Sequence, residues 1–203
     1  MDTDAHTLAG APEKLVIGVN VSAHGVSWDV VQVNKRATRL PEAGFFTFNP
    51  AAASADPDGW RLQVLGSHGV NPTDVLGSGP GGGAYNASVY GGSPHLRGAE
   101  AVTWAPSATM HGKLPRGAPQ MGRSMETAGN TGLVGINITS LDVPVVCTGA
   151  VTPFPSPRTE APDMTHGVHF NIFQNIWNTN YVLFYPFVEE DATVRSRFDL
   201  KFS

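Results

Sequence analysis

The sequence predicts an all-β protein, an antiparallel β-sandwich with long loops rich in glycine and proline. Short runs of β-branched and aromatic residues recur along the chain, and turn-forming residues separate them. No amphipathic pattern of ten or more residues predicts a long helix, and strand and helix patterns do not alternate as they would in a parallel sheet. The composition agrees, because 23 glycines and 16 prolines among 203 residues, with only 15% charged residues, favour short strands and irregular connections.

The strands are predicted within a single β-sandwich domain that spans residues 14–203, after a polar N-terminus, residues 1–13, that is expected to be disordered or frayed. Two β-branched runs, 14–21 and 26–33, flank a Ser-Ala-His-Gly turn and predict a hairpin. Residues 167–181 are expected to form a strand that runs into a polar and aromatic loop. Further strands are predicted within residues 44–50, 59–65, 95–104, 132–142, 143–149 and 193–202, the last closing the fold.

The longest predicted loop covers residues 66–94 and contains a glycine-rich run at 77–83. Its composition indicates a flexible insertion near residues 77–94. The run resembles a phosphate-binding loop only superficially, because the Lys-Ser/Thr pair and the strand–helix context of such loops are missing. The insertion is therefore assigned no ligand.

Charge and hydropathy exclude several classes of partner. The formal net charge is −4 and the chain has no basic run, so a nucleic-acid partner is not expected. No segment approaches the roughly 18 apolar residues of a membrane span, so no membrane partner is expected. No signal peptide is visible at the N-terminus, and the compartment is left open. The single cysteine, Cys147, excludes an intramolecular disulfide and lies in an apolar run, which predicts a buried thiol.

Catalytic and metal-binding patterns are weak. His166 and His169 have a helical spacing but lie in a strand pattern, where they would point to opposite faces, so no metal site is assigned. The carboxylates Glu42, Glu100 and Asp142 show no pairing suited to glycoside hydrolysis, and Asp142 is expected to bond its own turn. An acidic run at 189–191 is expected to be a solvated turn. No catalytic residue is therefore assigned, and no cofactor is expected in this chain.

Five residues are candidates for substrate binding or for a domain interface. Arg39 and Glu42 flank a proline before an aromatic strand, where they form either an intradomain ion pair or a polar edge facing another domain or a ligand. Asn175, Trp177 and Asn180 form either a satisfied amide network with the indole in the core, or a platform on which amides and an aromatic face bind sugar. Both alternatives stay open for both groups.

Three segments together carry a family resemblance. They are residues 35–43 before the aromatic strand, residues 140–146, and residues 173–181 with 195–198 near the end. In this order they resemble the C-terminal β region of glycoside hydrolase family 38-like, α-mannosidase-like proteins, most closely the branch known only as a domain of unknown function. That branch has an Asn-Asn-x-Trp-x-Thr-Asn-Phe motif, in which this chain has Gln174 for the first Asn and Tyr181 for the Phe.

The resemblance implies a C-terminal β-sandwich that supports a catalytic domain. Family 38 enzymes are retaining α-mannosidases whose zinc ligands and Asp nucleophile lie in a large N-terminal domain, and no part of this chain matches that domain. The chain is therefore expected to be an incomplete C-terminal portion of a larger protein, carbohydrate-related but not catalytic alone, with zinc in the missing domain. The expected partner is that N-terminal catalytic domain, with carbohydrate as a second candidate. The alternative functions are an independent carbohydrate-binding module and a structural interaction module.

Overall fold

The computed structural model describes residues 3–36, 38, 41–63, 96–106, 135–149, 151, 162–175 and 189–202. Within these residues, ten strands form two antiparallel sheets, so the all-β, sandwich-like fold is confirmed. The strands are β1 Lys14–Ser22, β2 Gly25–Val33, β3 Glu42–Phe48, β4 Trp60–Gln63, β5 Leu96–Gly98, β6 Ala101–Trp104, β7 Ile136–Ser140, β8 Val145–Thr148, β9 Val168–Asn175 and β10 Val194–Phe202.

One sheet has six strands in the order β1-β2-β10-β7-β6-β4, and the other has four in the order β3-β9-β8-β5. Every described pair is antiparallel. The predicted hairpin is confirmed, because β1 and β2 pair without a break from Lys14 opposite Val33 to Ser22 opposite Gly25. Ser22 Oγ stabilises the turn, donating to the Gly25 carbonyl at 3.1 Å and accepting from the His24 N–H at 3.2 Å.

The strand character predicted within residues 95–104 is confirmed for residues 96–98 and 101–104, but it is divided between the two sheets. The structure has two short strands there, β5 in the four-stranded sheet and β6 in the six-stranded sheet. The backbone changes sheet between them, because the Ala99 N–H donates to Pro144 O at 2.8 Å while the next N–H, of Glu100, donates to Gln63 O at 2.8 Å. Neighbouring residues thus bond to opposite layers, which an alternation pattern does not reveal.

The N-terminus contains a helix where the sequence predicts a disordered or frayed segment. Helix α1 spans Thr3–Ala9, and Gly10 follows it with a φ of +65°, a conformation that ends helices. The His6 ring Nδ1 lies 2.6 Å from the Ala11 carbonyl oxygen and holds the chain after the helix. A second helix, α2, spans Ala51–Ala55, and single 3₁₀ turns span Pro57–Gly59, Met164–His166 and Glu189–Ala192. None of the helices in the described ranges has the length and apolar character needed to cross a membrane.

The two sheets meet at an aromatic core. Phe46 of β3 stacks on Phe198 of β10 with 4.8 Å between ring centroids, and Trp28 of β2 meets Phe48 edge-on at 5.2 Å. Phe170 of β9 completes the group, and both Phe170 and Phe198 are fully buried. Because burial of one such side chain contributes about 1.5–3 kcal/mol, these rings are a main source of cohesion between the layers.

Candidate functional site

The Lys35–Glu42 cluster, which consists of Lys35, Thr38, Glu42 and Asn175, lies where β3 begins. Glu42 opens β3 and stands opposite Asn175, the last residue of β9. Lys35 Nζ lies 2.7 Å from Glu42 Oε1, and Thr38 Oγ1 donates to the same oxygen at 3.1 Å. The Lys35 and Glu42 side chains are only 12% and 22% exposed, so the ion pair is largely shielded from water.

The ammonium of Lys35 is fully engaged inside the protein. Besides Glu42, it donates to the Gly10 carbonyl at 2.8 Å and to the Arg36 carbonyl at 3.0 Å. An ammonium has three N–H donors, so these three acceptors account for all of them. It also lies 5.1 Å from the centroid of the Phe173 ring, within the range of a cation–π contact. Lys35 therefore ties the segment after α1, the start of β3 and the end of β9 together.

Asn175 also makes an intradomain contact, because its Nδ2 donates to the Thr38 carbonyl at 2.8 Å. The structure thus brings two of the five candidate residues, Glu42 and Asn175, into one cluster. Lys35, which the sequence analysis did not single out, is the described cationic partner of Glu42. The other three candidates, Arg39, Trp177 and Asn180, lie outside the described residues.

The chemistry of the Lys35–Glu42 cluster is that of a structural junction. Among the described residues its contacts include a single carboxylate, whereas the usual glycosidase mechanisms need two carboxyl groups about 5 to 10 Å apart. Within the described part of the chain, no group of three His, Cys, Asp or Glu side chains is placed to hold a metal ion. The cluster holds backbone and strand ends in place and positions no pair of reacting groups.

Two ion pairs lie on the outer face of the six-stranded sheet. The guanidinium of Arg195 donates to both carboxylate oxygens of Asp29, at 2.8 and 2.5 Å. Arg197 binds Asp142 in the same way at 2.9 and 2.7 Å, and its backbone N–H adds a third bond at 2.8 Å. Hydrogen bonds from the guanidinium groups hold the pKa values of Asp29 and Asp142 below their usual range.

The expectation that Asp142 bonds its own turn is wrong. Its carboxylate reaches across to β10, and the turn is held instead by Ser140, whose Oγ accepts from the Val143 N–H at 2.9 Å. In the 140–146 segment, Ser140 therefore closes the turn and Asp142 binds the last strand.

Cys147 and His169 are a cross-strand pair that the sequence analysis did not connect. They stand directly opposite each other on β8 and β9, and His169 Nδ1 lies 2.9 Å from Thr47 Oγ1. Both side chains are buried, which confirms the predicted burial of Cys147. Burial raises the pKa of the Cys147 thiol to about 12 and lowers the pKa of His169. Both groups are therefore neutral near pH 7, and the pair lacks the thiolate that a cysteine nucleophile requires.

Strand β1 is an edge strand whose nine residues are all exposed. Residues opposite each other in a sheet share a face, and Val19 stands opposite Trp28. Because Trp28 packs on Phe48 of the other sheet, Val19 and its odd-numbered neighbours in β1 lie on the inner face of the sandwich. Among the described strands, β3 packs on the inner face at β2 and β10, and the side chains of β1 on that face are exposed.

The odd-numbered residues of β1 form an exposed apolar row, which we call the β1 row. Leu15, Ile17, Val19 and Val21 are 42%, 50%, 56% and 72% exposed, whereas Val30 on the same face of β2 is 2% exposed. This surface is not apparent from the sequence, since the pattern that predicts a half-buried strand does not tell whether a second sheet covers it. A contiguous exposed apolar surface on an edge strand is a typical interaction site.

No family model, curated protein or solved structure matches this chain.

Proposed function

We propose that this chain is a supporting β-sandwich domain that acts by docking onto another protein body and is not catalytic by itself. The observation that carries the proposal is the β1 row, in which four exposed apolar side chains lie on the inner face of the six-stranded sheet. A domain that worked alone would leave this surface in water at a cost of roughly 25 cal/mol for each Å² of apolar area. Docking removes that cost.

The family resemblance suggests the kind of protein body onto which the domain docks. In the finer form of the proposal, the partner is the catalytic domain of a glycoside hydrolase family 38-like, α-mannosidase-like protein, and zinc belongs to that domain. Arg39, Glu42, Asn175, Trp177 and Asn180 would then lie at or near the interface. The internal bonds of Glu42 and Asn175 support a role in which they hold the β3–β9 end in shape for a neighbour.

An independent carbohydrate-binding module is the rival function, and the described tryptophans do not favour it. Such a module needs an exposed aromatic face on which a sugar ring can stack. Trp60 and Trp104 are 0% and 2% exposed, and Trp28 packs against two phenylalanines of the facing sheet. Trp177, the remaining tryptophan, lies outside the described residues.

A matched pair of substitutions tests whether the β1 row is a docking surface or part of the domain's own core. Val19→Thr keeps the β-branched shape and removes apolar character at an exposed position, so we expect it to change the free energy of unfolding by less than about 0.5 kcal/mol. Val30→Thr makes the same change on the same sheet face where the residue is buried, and we expect a loss of about 1–3 kcal/mol. Urea unfolding at sub-micromolar protein concentration measures both. Equal losses of unfolding free energy in the two variants would contradict the proposal.

The absence of activity is tested separately. The isolated chain is incubated with aryl α-mannosides and other aryl glycosides in the presence of zinc, and saccharide binding is measured by calorimetry. The proposal expects neither turnover nor binding. Clear turnover would show that the chain is an enzyme by itself, and saturable saccharide binding that is lost in Trp177→Ala would favour the carbohydrate-binding module.

A further inference from the structure

We propose that β1 pairs with β1 of a second copy of this chain, antiparallel and about a two-fold axis at Gly18. The two six-stranded sheets would then join into one continuous sheet. This inference rests on the proposed function, because it names the protein body that docks at β1. The catalytic domain of the finer form would then contact the β3–β9 end instead. The inference follows from three properties of β1: the direction of its backbone groups, the symmetry of its odd-numbered side chains, and its charge.

Among the described strands β1 is paired on one side only, so its backbone has pairing groups directed to the open edge at the residues that this arrangement needs. Ser22 and Gly25 close a two-residue turn and so form a hydrogen-bonded pair, which places the even-numbered residues of β1 in bonds to β2. The odd-numbered residues direct their N–H and C=O groups to the open edge. Antiparallel pairing about Gly18 places Ile17 opposite Val19 and Leu15 opposite Val21 of the second copy, odd opposite odd, so the free groups of both copies meet.

The odd-numbered side chains of β1 are alike on both sides of Gly18, whereas on the outer face Val16 meets Asn20. In this register each residue of the β1 row meets another residue of the row, so apolar groups meet apolar groups over the whole inner face. At the axis, Gly18 faces Gly18, and two residues without Cβ atoms can approach closely. A two-fold interface brings the same patch of both copies into contact, so that patch must complement itself, as this edge does.

The charges of β1 permit the pairing. Lys14, at the end of the strand, is its one charged residue, and the register places it opposite Ser22 of the second copy. Asp29, the β2 residue opposite Gly18, is neutralised by Arg195, so the two copies do not bring free carboxylates to the axis. Edge strands that resist pairing carry an inward charge, a proline or a bulge, and β1 has none of these over its nine paired residues.

Gly18→Cys tests the register. A Cβ at Gly18 would have Asp29 Cβ at 3.6 Å and Asp29 O at 3.8 Å as nearest neighbours, ordinary contacts that let the protomer fold. Residue 18 and its symmetry mate form a non-hydrogen-bonded pair about 4.5 Å apart at Cα, within the range of a disulfide. Under mild oxidation we expect this variant to form a covalent dimer. Asn20→Cys is the matched control, because its symmetry mate lies about 14 Å away, too far for a disulfide.

Sedimentation velocity over a concentration series tests the association itself. We expect a reversible dimer for the wild type, and at least tenfold weaker dimerisation for Val19→Lys. Leu141→Lys is the control, since Leu141 is 54% exposed, close to the 56% of Val19, but lies outside β1; it should dimerise like the wild type. Circular dichroism checks that both variants fold.

The outcomes separate this inference from the proposed function. A wild-type chain that stays monomeric at millimolar concentration, equal loss of dimer in both lysine variants, or equal cross-linking of the two cysteine variants would overturn pairing through β1 about Gly18. The proposed function would still stand in each case if Val19→Thr leaves the stability of the monomer unchanged. It would fail with the dimer intact if the isolated chain turned over a glycoside.

Discussion

Asp142 accepts three hydrogen bonds from Arg197, although 55 residues separate them in the chain. The contact joins the turn after β7 to the closing strand β10. A similar contact joins Asn175 to the carbonyl of Thr38, 137 residues away. Both link segments on which the family resemblance depends. These polar residues therefore have a structural role, because they link strands that are distant in sequence. This role does not require a bound sugar.

The first prediction concerns this link. Asp142→Ala removes the acceptor of a backbone N–H and a bidentate ion pair, and we expect the free energy of unfolding to fall by about 1 kcal/mol. Asp142→Asn keeps one oxygen that can accept from the backbone and should lose less. Urea unfolding monitored by tryptophan fluorescence measures both variants. An alanine variant as stable as the wild type would show that the link contributes nothing to the fold.

The second prediction is a loss of stability in acid. The pKa values of Asp29, Asp142 and Asp163 are lowered, mainly by hydrogen bonds from Arg195, from Arg197 and from Thr165 respectively. A carboxyl whose pKa is lower in the folded than in the unfolded chain stabilises the fold above its unfolded pKa, about 3.9 for Asp. That contribution is lost as the pH falls through the folded pKa values.

We therefore expect the free energy of unfolding to decrease as the pH falls from about 4 towards 2. Urea unfolding at a series of pH values gives the slope. Asp142→Asn removes one of the three groups and should make the slope shallower over the same range. If the free energy of unfolding did not change below pH 4, or if Asp142→Asn had the wild-type slope, the lowered pKa values of these carboxyl groups would be contradicted.

Local pattern predicted the parts of the fold that depend on neighbouring residues. The β1–β2 hairpin is correct because two β-branched runs of similar length flank a short polar turn. The split of residues 95–104 between two sheets could not be predicted, since it depends on the remote carbonyls of Pro144 and Gln63. Helix α1 was missed because seven residues carry too few apolar positions for a helical period to be recognised.

In the candidate site, too, only the features that depend on neighbouring residues could be predicted. The sequence predicts Glu42 either in an ion pair with Arg39 or at a polar edge, and the structure places it in an ion pair with Lys35, while Arg39 lies outside the described residues. The described partner of Glu42, Lys35, could not be selected, because the pairing depends on how the chain returns between β2 and β3. The register that places Cys147 opposite His169 and the exposure of the β1 row also depend on how the sheets assemble.

The third prediction tests the structural role of the Lys35–Glu42 cluster. Lys35→Met keeps the length of the side chain but leaves Glu42 without its cationic partner and removes the donor to the Gly10 carbonyl, so we expect a loss of about 2 kcal/mol in the free energy of unfolding. Glu42→Gln keeps an oxygen for Lys35 and Thr38 and should cost less. A double-mutant cycle between Lys35 and Glu42 measures the coupling. If both residues instead served a ligand, their replacement would leave the stability unchanged, and the cycle would show no coupling.

The fourth prediction concerns the thiol of Cys147, the single cysteine of the chain, so that any thiol reagent reports on one site. Burial raises its pKa to about 12, and the thiolate is the reactive form, so the native protein should react with an aromatic disulfide reagent at pH 8 far more slowly than an exposed thiol does. In urea the side chain is exposed, its pKa returns towards 8.5, and one thiol should react rapidly. Stopped-flow absorbance of the released thiolate gives both rates. Rapid labelling of the folded chain would mean that β8 opens readily or that Cys147 is not buried, and either result would contradict the packing of β8 against β9.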